Sequence, residues 1–228
     1  MQAVLAHQPL HDLSEEVPPM RVADIFAGLK GWSRPFQDRG HETWTTDIDP
    51  IFETDLTADL LEVGPHDFPW RPDILLASPP CESFSTMAMG RNWTHAGEPK
   101  TERAELALKL IERVRYLIAT LQPTFFVIEN PRARLRTLDL IPYPDRRTVW
   151  YCRLGEPVAK PTDLWGGFPV SLRLPEMCNN GNPDHIAAPR GSRTGTQGIG
   201  RGKADAATRS KIPYGLGLTV CLAAEADL

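Results

Sequence analysis

The chain lacks the features that mark secreted and membrane proteins. Its 228 residues include four widely spaced cysteines and no CxxC pair, so we do not expect a disulfide framework in a chain of this size. No apolar run approaches the length of a membrane span. Residues 1–19 carry no basic cluster and no long apolar stretch, so we expect no signal peptide. These absences predict a protein of a reducing, cytoplasmic compartment without a membrane partner.

Positive charge is scarce in the first part of the chain. Residues 1–130 hold 11 basic and 20 acidic residues, whereas residues 131–228 hold 14 and 9, within an overall net charge of −4. The basic C-terminal part would suit a polyanionic partner. An uneven solvated surface explains the same distribution equally well, so charge alone leaves both interpretations open.

Strand and helix patterns alternate along most of the chain. One segment is clearly an amphipathic helix, with Thr101 as its expected N-cap and an apolar stripe of Leu106, Leu110, Val114 and Leu117. We predict strands at residues 21–26, 42–46, 73–77, 124–128 and 147–153, and helices at 32–39, 101–121 and 214–224. The alternation predicts an α/β fold with a mostly parallel central sheet and helices on both faces.

Two long segments show little periodicity, residues 78–100 and 155–203. The first is too long to be an ordinary connection, which is typical of lids and binding loops. The second is rich in glycine, proline, arginine, asparagine and threonine. Such a composition suits a disordered segment and equally a segment that grips phosphates through side chains and backbone N–H groups.

Pro79-Pro80-Cys81 follows the apolar run that ends at Ser78. Each proline fixes its own φ, and the second also restricts the residue before it, so the cysteine begins on a stiff backbone. Ligands of open α/β sheets bind at the carboxyl ends of strands. A rigidly held thiol there is a candidate nucleophile, although a lone cysteine beside a turn is more often a small buried apolar residue.

A glycine-bearing turn, Phe26-Ala27-Gly28-Leu29-Lys30-Gly31, follows the first predicted strand. It lacks the full dinucleotide pattern and contains no Gly-Lys-Ser/Thr, which excludes a P-loop. Glycine lets the backbone approach a ligand closely, and an acidic residue ending the second strand, here Asp47, can accept both ribose hydroxyls. Together they indicate an adenosine cofactor, a weak signal on their own.

Four landmarks stand in an order that resembles the DNA (cytosine-5) methyltransferases: the glycine turn after the first strand, Asp47 after the second, then Pro79-Pro80-Cys81 and Glu129-Asn130-Pro131. The segment from Asp24 to Gly31 is similar to their Asp-hydrophobic-Phe-Ala-Gly-x-Gly-Gly motif, and Pro80-Cys81 with Ser83-Phe84-Ser85 resembles their Pro-Cys-Gln-x-Phe-Ser segment. Glu129-Asn130-Pro131 resembles their Glu-Asn-Val, and residues 209–213 resemble their closing segment. This chain departs from the family at three points. Glu82 replaces the usual glutamine, Pro131 replaces the usual valine, and the family's Gln-x-Arg-x-Arg segment is absent.

The resemblance implies a Rossmann-like fold that uses S-adenosylmethionine. The implied cofactor contacts are Asp24, Phe26, Ala27, Gly28, Leu29, Gly31, Trp32, Asp47 (ribose), Ile48 (adenine), Asp59 (adenine amino group), Ser78 and Pro79. The implied catalytic residues are Cys81 as nucleophile, Glu129 as the acid at ring nitrogen 3, Pro80 and Asn130. In place of the missing arginine motif, Arg147 or Arg153 would hold the base or orient Glu129.

The resemblance also implies DNA as partner and a base flipped into the site. The expected DNA contacts are Ser83, Ser85, Arg190, Ser192, Arg193, Thr194 and Gln197. The stretch Ala188–Gly198 is similar to compact variants found in phages, which suggests a phage-encoded protein of a bacterial host and, by family analogy, protection from restriction. We expect a leader at 1–20, a catalytic and cofactor-binding domain at 21–165, a reduced recognition region at 166–205 and a returning segment at 206–228.

The small recognition region leaves the substrate partly open. With about forty residues, recognition would be short, relaxed or supplied by a protein partner. Our favoured prediction is methylation of cytosine in DNA. The alternatives are modification of free deoxycytidine nucleotides, transfer of a different group from a modified cofactor, and a non-catalytic DNA-binding homologue.

A metal site is not expected from the spacing of the candidate ligands. Cys178 and His185, with Cys152 upstream, fit no standard zinc module, and a fourth ligand is not evident. We therefore expect these three to be unpaired structural residues and predict no metal.

Overall fold

The computed structural model describes residues 18–85, 88–143, 145–179, 182–183, 185 and 210–228. Its helices and strands, in chain order, are β1 (Arg21–Ile25), α1 (Ser33–Asp38), β2 (Glu42–Asp47), β3 (Leu56–Thr57), β4 (Ile74–Ala77), α2 (Met89–Asn92), α3 (Glu102–Leu121), β5 (Phe125–Pro131), β6 (Arg146–Trp150), β7 (Pro161–Gly167) and α4 (Tyr214–Asp227). None of the helices in this part of the chain is both long and apolar enough to span a bilayer.

Seven strands form one sheet in the order β3-β2-β1-β4-β5-β7-β6. Strands β1 to β5 run parallel, whereas β7 runs antiparallel to both β5 and β6. The predicted α/β fold with a mostly parallel sheet is confirmed. The strand order reverses between β1 and β4, and such a reversal opens a crevice at the carboxyl ends of the strands.

Strand β4 shows how the sheet is covered on both faces. Its four residues are fully buried, and alternate side chains point to opposite faces. Ile74 and Leu76 pack in the cluster that contains residues of α1 and α4, whereas Leu75 and Ala77 pack in the cluster beneath α3. A strand buried on both faces is a continuous apolar run, which is why this one was evident in the sequence.

Helix α3 begins and ends where its pattern predicts. The Thr101 hydroxyl accepts a hydrogen bond from the Ala104 N–H at 3.3 Å, as an N-cap does. One predicted member of the apolar stripe is wrong, because Leu106 is 46% exposed. It lies just beyond the edge of the buried face, which consists of Ala104, Ala107, Leu110, Ile111, Val114, Leu117, Ile118 and Leu121.

The region after β5 differs most from the sequence prediction. The strand expected at 147–153 ends at Trp150, and Tyr151–Leu154 forms a 3-10 turn. Strand β7 falls inside the segment that we predicted to be irregular. It lies between β5 and β6, and a Cβ on Gly166 would stand 2.1 Å from the Phe126 carbonyl oxygen. This close packing accounts for its glycines, which hide the usual strand pattern.

The C-terminal segment returns to the glycine turn. A Cβ on Gly31 would stand 2.2 Å from the carbonyl oxygen of Ile212, so only glycine fits at this crossing. Gly217 in α4 likewise lies against the backbone of Gly31 and Trp32. The predicted final helix is confirmed and continues to Asp227.

Candidate active site

The turn after β1 is held in a strained backbone conformation. Phe26, Gly28 and Lys30 all adopt positive φ, at 61°, 49° and 56°. Two of these residues are not glycine, and positive φ is uncommon for such residues. The Gly28 N–H donates to Asp47 Oδ2 at 2.9 Å, which ties the turn to the end of β2. Strain of this kind persists only where the surrounding structure enforces it, and it is concentrated at functional sites.

The predicted adenosine-binding residues lie around this turn. A Cβ on Gly28 would contact little besides the Phe26 carbonyl oxygen, at 4.0 Å, so no other described residue fills the space above it. Leu29 and Ile48 are large apolar side chains that are nevertheless 47% and 64% exposed. An open backbone, two uncovered apolar side chains and the Asp47 carboxylate suit a ligand with a flat base and a ribose. These residues fit S-adenosylmethionine.

Other residues predicted to contact the cofactor are engaged in contacts within the fold. Trp32 is buried and its indole N–H donates to the Ser78 hydroxyl at 2.9 Å, which links the glycine turn to the end of β4. Ala27 is also buried. The Asp59 carboxylate accepts from the Leu61 N–H at 3.0 Å. For Trp32 the geometry indicates packing under the cofactor turn rather than an exposed contact surface.

Asp24 is a buried carboxyl group beneath the same turn. Its Oδ2 accepts from the Ser33 N–H at 3.1 Å, and its Oδ1 has no hydrogen-bond partner in the described part of the chain. Burial raises the pKa of Asp24 to about 7. The side chain is fully enclosed, so it stabilises the turn from inside.

The Pro-Pro-Cys segment is fixed at both ends. The buried Asn130 side chain donates from Nδ2 to the Pro79 carbonyl at 3.0 Å, which joins the end of β5 to the end of β4. The Cys81 carbonyl then accepts from the N–H groups of Phe84 and Ser85, at 3.0 and 2.9 Å. Pro80 is exposed and Cys81 is half-buried. The thiol thus sits at the predicted strand end on a rigid turn.

Glu129 is the buried carboxyl group on the neighbouring strand. It is only 4% exposed, and the Tyr151 hydroxyl donates to its Oε1 at 2.9 Å. Burial, the largest effect, raises the pKa of Glu129, whereas the charge of Lys160 and the hydrogen bond from Tyr151 lower it. The net rise means that this carboxyl group keeps its proton at a higher pH than an exposed glutamate does.

Burial and nearby charges also determine the pKa of the Cys81 thiol. Burial raises its pKa, the charge of Lys160 lowers it, and the charges of Glu129 and Glu82 raise it further. Glu82 is itself paired with Arg103 at 2.7 Å on the exposed side. The thiol is therefore protonated at rest, and Lys160 is the cation that favours its reactive thiolate.

Sequence reasoning missed Tyr151 and Lys160. The Lys160 ammonium lies 4.6 Å from the centre of the Tyr151 ring, and the Tyr151 N–H donates to the Lys160 carbonyl at 3.3 Å. The two residues flank the connection between β6 and β7, which brings them to Glu129. Nothing in the sequence around them indicated a role at the site.

The arginines predicted for this position are engaged elsewhere. Arg147 pairs with Asp145 at 3.0 Å and lies over the Phe168 ring. Arg153 is exposed, and no hydrogen bond or ion pair to Glu129 is found for either arginine. For Arg147 this corrects the sequence-based expectation, because its guanidinium is directed to Asp145 and to the Leu172 carbonyl.

The predicted DNA contacts are only partly described. Ser83 is buried and its hydroxyl donates to the Arg103 carbonyl at 3.1 Å, so this side chain belongs to the core rather than to a DNA-facing surface. Ser85 is half-buried and donates to the Glu82 carbonyl at 3.4 Å. The remaining predicted contacts lie outside the described residues: Arg190, Ser192, Arg193, Thr194 and Gln197.

Comparison with known proteins adds independent findings. The family model of the C-5 cytosine-specific DNA methylases matches residues 20–137. A Frog virus 3 protein named "Probable DNA (cytosine-5)-methyltransferase" is 30% identical over 179 residues, which are 71% of this chain and 78% of the viral protein.

Two solved methyltransferase structures align with this chain. The Entamoeba histolytica methyltransferase EhMeth aligns with a TM-score of 0.50 at 12% identity, over 70% of this chain and 56% of its own. The S. pombe Dnmt2 methyltransferase aligns with a TM-score of 0.43 at 12% identity, over 65% and 49%. This chain therefore spans about half the length of these solved chains, and the likeness to EhMeth bears on the fold alone.

The family match and the architecture agree. The matched residues include the glycine turn, the Pro-Pro-Cys turn and Glu129, and the sheet order places all three at one edge. The resemblance inferred from the four landmarks is confirmed, whereas the phage-type character and the reduced recognition region remain predictions. The chain belongs to the C-5 cytosine-specific DNA methylase family.

Proposed function

We propose that this chain transfers a methyl group from S-adenosylmethionine to carbon 5 of cytosine in DNA through a covalent adduct on Cys81. The observation that carries the proposal is the pairing of a rigidly held thiol with a buried, proton-retaining carboxyl group on adjacent strand ends. Both lie beside a turn that suits an adenosine ligand. Nucleophilic addition to a ring assisted by a general acid needs these two groups together.

Each residue has a defined role in the proposed reaction. The Cys81 thiolate adds to carbon 6 of cytosine, while Glu129 acts as general acid and passes its proton to ring nitrogen 3, which neutralises the negative charge that develops there. Electron density then lies on carbon 5. S-adenosylmethionine supplies an electrophilic methyl group on a sulfonium. Carbon 5 takes up that methyl group, and nitrogen 3 returns its proton to Glu129. The proton of carbon 5 then passes to solvent as the Cys81 thiolate leaves and the aromatic ring is restored.

Lys160 and Tyr151 adjust the two reacting groups. The Lys160 charge stabilises the Cys81 thiolate, and hydrogen bonds from Tyr151 and Ser78 hold the Glu129 carboxyl group in place. With no arginine on Glu129 within the described residues, we assign the positioning role expected of Arg147 or Arg153 to Lys160 and Tyr151. The cofactor would rest on Gly28, Leu29 and Ile48.

The first experiment measures DNA nucleosides by mass spectrometry in cells that lack cytosine methylation. Cells expressing the chain should contain 5-methyldeoxycytidine, and cells expressing Cys81→Ala should not. Cys221→Ala is the matched control, because Cys221 is buried in α4 away from the site. Undiminished product from Cys81→Ala would end the covalent mechanism. No new nucleoside, with folded protein present, would move the proposal towards a free nucleotide or a binding-only role.

A second measurement tests the adduct itself. DNA carrying 5-fluorocytosine has no proton to lose from carbon 5, so the enzyme should remain attached after methyl transfer. We expect a complex that survives denaturation, requires S-adenosylmethionine and is absent with Cys81→Ala. A complex formed equally well by that variant would assign the nucleophile to another residue.

A further inference from the structure

Cys152, Cys178 and His185 come together beside the catalytic domain, although they are distant in sequence. Their ligand atoms all lie within 4.8 Å of one another. Cys152 stands on the 3-10 turn that follows β6, whereas Cys178 and His185 belong to the segment after β7. The proposed reaction uses none of the three.

The spacing of these atoms suits a tetrahedral metal ion. Zinc binds thiolate sulfur at about 2.3 Å and imidazole nitrogen at about 2.0–2.1 Å, so two such ligands at a tetrahedral angle lie about 3.6 Å apart. The distance from Cys178 Sγ to His185 Nδ1 is 3.5 Å. The imidazole plane is set by stacking on Trp150, with an interplanar angle of 18°. The Asn182 side chain donates to the Cys178 sulfur at 3.2 Å, as outer partners of metal thiolates do.

A second cluster of ligating residues has a different character. His41, Cys221 and Glu225 also lie close together. There, however, Arg39 donates two hydrogen bonds to the Glu225 carboxylate, both at 2.7 Å. A guanidinium already neutralises that carboxylate, so a second cation would be repelled. At the first cluster Arg153 acts on Cys152 and Cys178 through its charge, whereas at the second Arg39 is hydrogen-bonded directly to a ligand carboxylate.

We propose that Cys152, Cys178 and His185 bind a zinc ion that fastens the segment after β7 to the catalytic domain. On binding, both thiols release their protons, so two thiolates neutralise the Zn²⁺ charge and the histidine binds as a neutral ligand. A water or an oxygen ligand completes the tetrahedron. This inference rests on the cluster alone and does not depend on the methyl-transfer proposal.

The position of the site gives the metal a structural purpose. From residue 168 to residue 179 the chain contains no helix or strand. Leu172 anchors the first part of this segment in the main core, whereas the part at Cys178 rests on a small apolar cluster with Trp150 and Ala159. A small region without a core of its own commonly needs a metal or a disulfide to hold it. Cys152 also directly follows Tyr151, so the zinc would brace the turn that presents Tyr151 to Glu129.

Metal analysis of the purified full-length chain tests the proposal. We expect about one zinc per chain in the wild type, loss of zinc in Cys178→Ser and retention in Cys221→Ala. Cys178→His, which preserves a ligand, should restore binding if the loss reflects coordination. Zinc that disappears with Cys221→Ala but persists in Cys178→Ser would place the metal at the other cluster and overturn the proposal.

A measurement on the wild-type chain covers the case in which a variant fails to fold. Zn²⁺ added to reduced, metal-free protein should release about two protons for each zinc bound, and Co²⁺ should give the charge-transfer absorption of thiolate ligands. Zinc removal should expose the segment after β7 to limited proteolysis while the sheet stays intact. Failure to take up Zn²⁺, or a Cys152–Cys178 disulfide in protein free of metal, would refute the site.

Discussion

The two halves of the active-site edge are built in different ways. At the ends of β1 and β2 the site is shaped mainly by backbone conformation. Residues with positive φ form a turn there, and Asp47 holds that turn by accepting from the Gly28 N–H. At the ends of β4 and β5 the site depends on ionisation, because burial and nearby charges shift the pKa values of Cys81 and Glu129. Cofactor binding requires a preformed concavity, whereas the base chemistry requires tuned ionisation.

Glu129→Gln should have the largest effect of these variants, and it should impair methyl transfer without impairing cofactor binding. The amide keeps the shape and can still accept from Tyr151, but it cannot give a proton to ring nitrogen 3. We expect methyl transfer to fall about 10²–10⁴-fold, the usual contribution of a general acid. Affinity for S-adenosylmethionine, measured by calorimetry, should not change.

Glu82→Gln is the matched control for this prediction. Glu82 is also an acidic residue near Cys81, but it is exposed and paired with Arg103. Its charge raises the pKa of Cys81, so its removal favours the thiolate and the rate should not fall. Equal rates for wild type and Glu129→Gln would remove Glu129 from the reaction and leave the edge of β5 without a general acid.

Asp47→Ala should act on the opposite half. It removes an acceptor for the ribose hydroxyls and the partner of the Gly28 N–H. A hydrogen bond to a charged group contributes about 1.5–3 kcal/mol, so we expect about 10- to 100-fold weaker cofactor binding. Asp49→Ala, which removes only the acceptor of the Ile51 N–H, is the control. If the two variants bind the cofactor equally well, Asp47 does not contact it.

The same contrast explains what could be predicted from the sequence. The cofactor half is local: the turn, its glycine and Asp47 lie within one strand-turn-strand unit, so pattern and spacing identify them. The catalytic half depends on long-range contacts. Tyr151 and Lys160 reach Glu129 only because β7 inserts between β5 and β6. The glycines of β7 follow no simple pattern, so neither residue could be assigned in advance.

Lys160→Met tests whether the β6–β7 connection tunes the thiol. The Lys160 charge lowers the pKa of Cys81, so its loss should raise that pKa and move the rising limb of the pH–rate profile to higher pH. A partly exposed charge pair contributes up to about 1 kcal/mol, so activity at neutral pH should drop several-fold. Lys160→Arg should restore the profile, and Lys109→Met on the exposed face of α3 should not alter it. An unshifted profile would contradict the role.

Asp24→Asn has the smallest expected effect. It tests whether the cofactor half also contains a group that titrates near neutral pH. The pKa of Asp24 is about 7 in the folded chain, against an ordinary 3.8. Between these values the folded chain binds more protons than the unfolded chain, so stability falls as pH rises through about 7. A single such group makes the free energy of unfolding about 1 kcal/mol greater at pH 6 than at pH 8.

The amide mimics the protonated carboxyl group of Asp24, so Asp24→Asn should lose this contribution to the pH dependence. Urea unfolding at pH 6, 7 and 8 should show the wild type losing stability relative to the variant, with the difference developing around pH 7. Parallel curves would mean that Asp24 is already ionised in the folded chain. The cofactor half would then hold a fixed negative charge instead of a titrating one, and Asp24 Oδ1, which has no hydrogen-bond partner among the described residues, would have to be solvated.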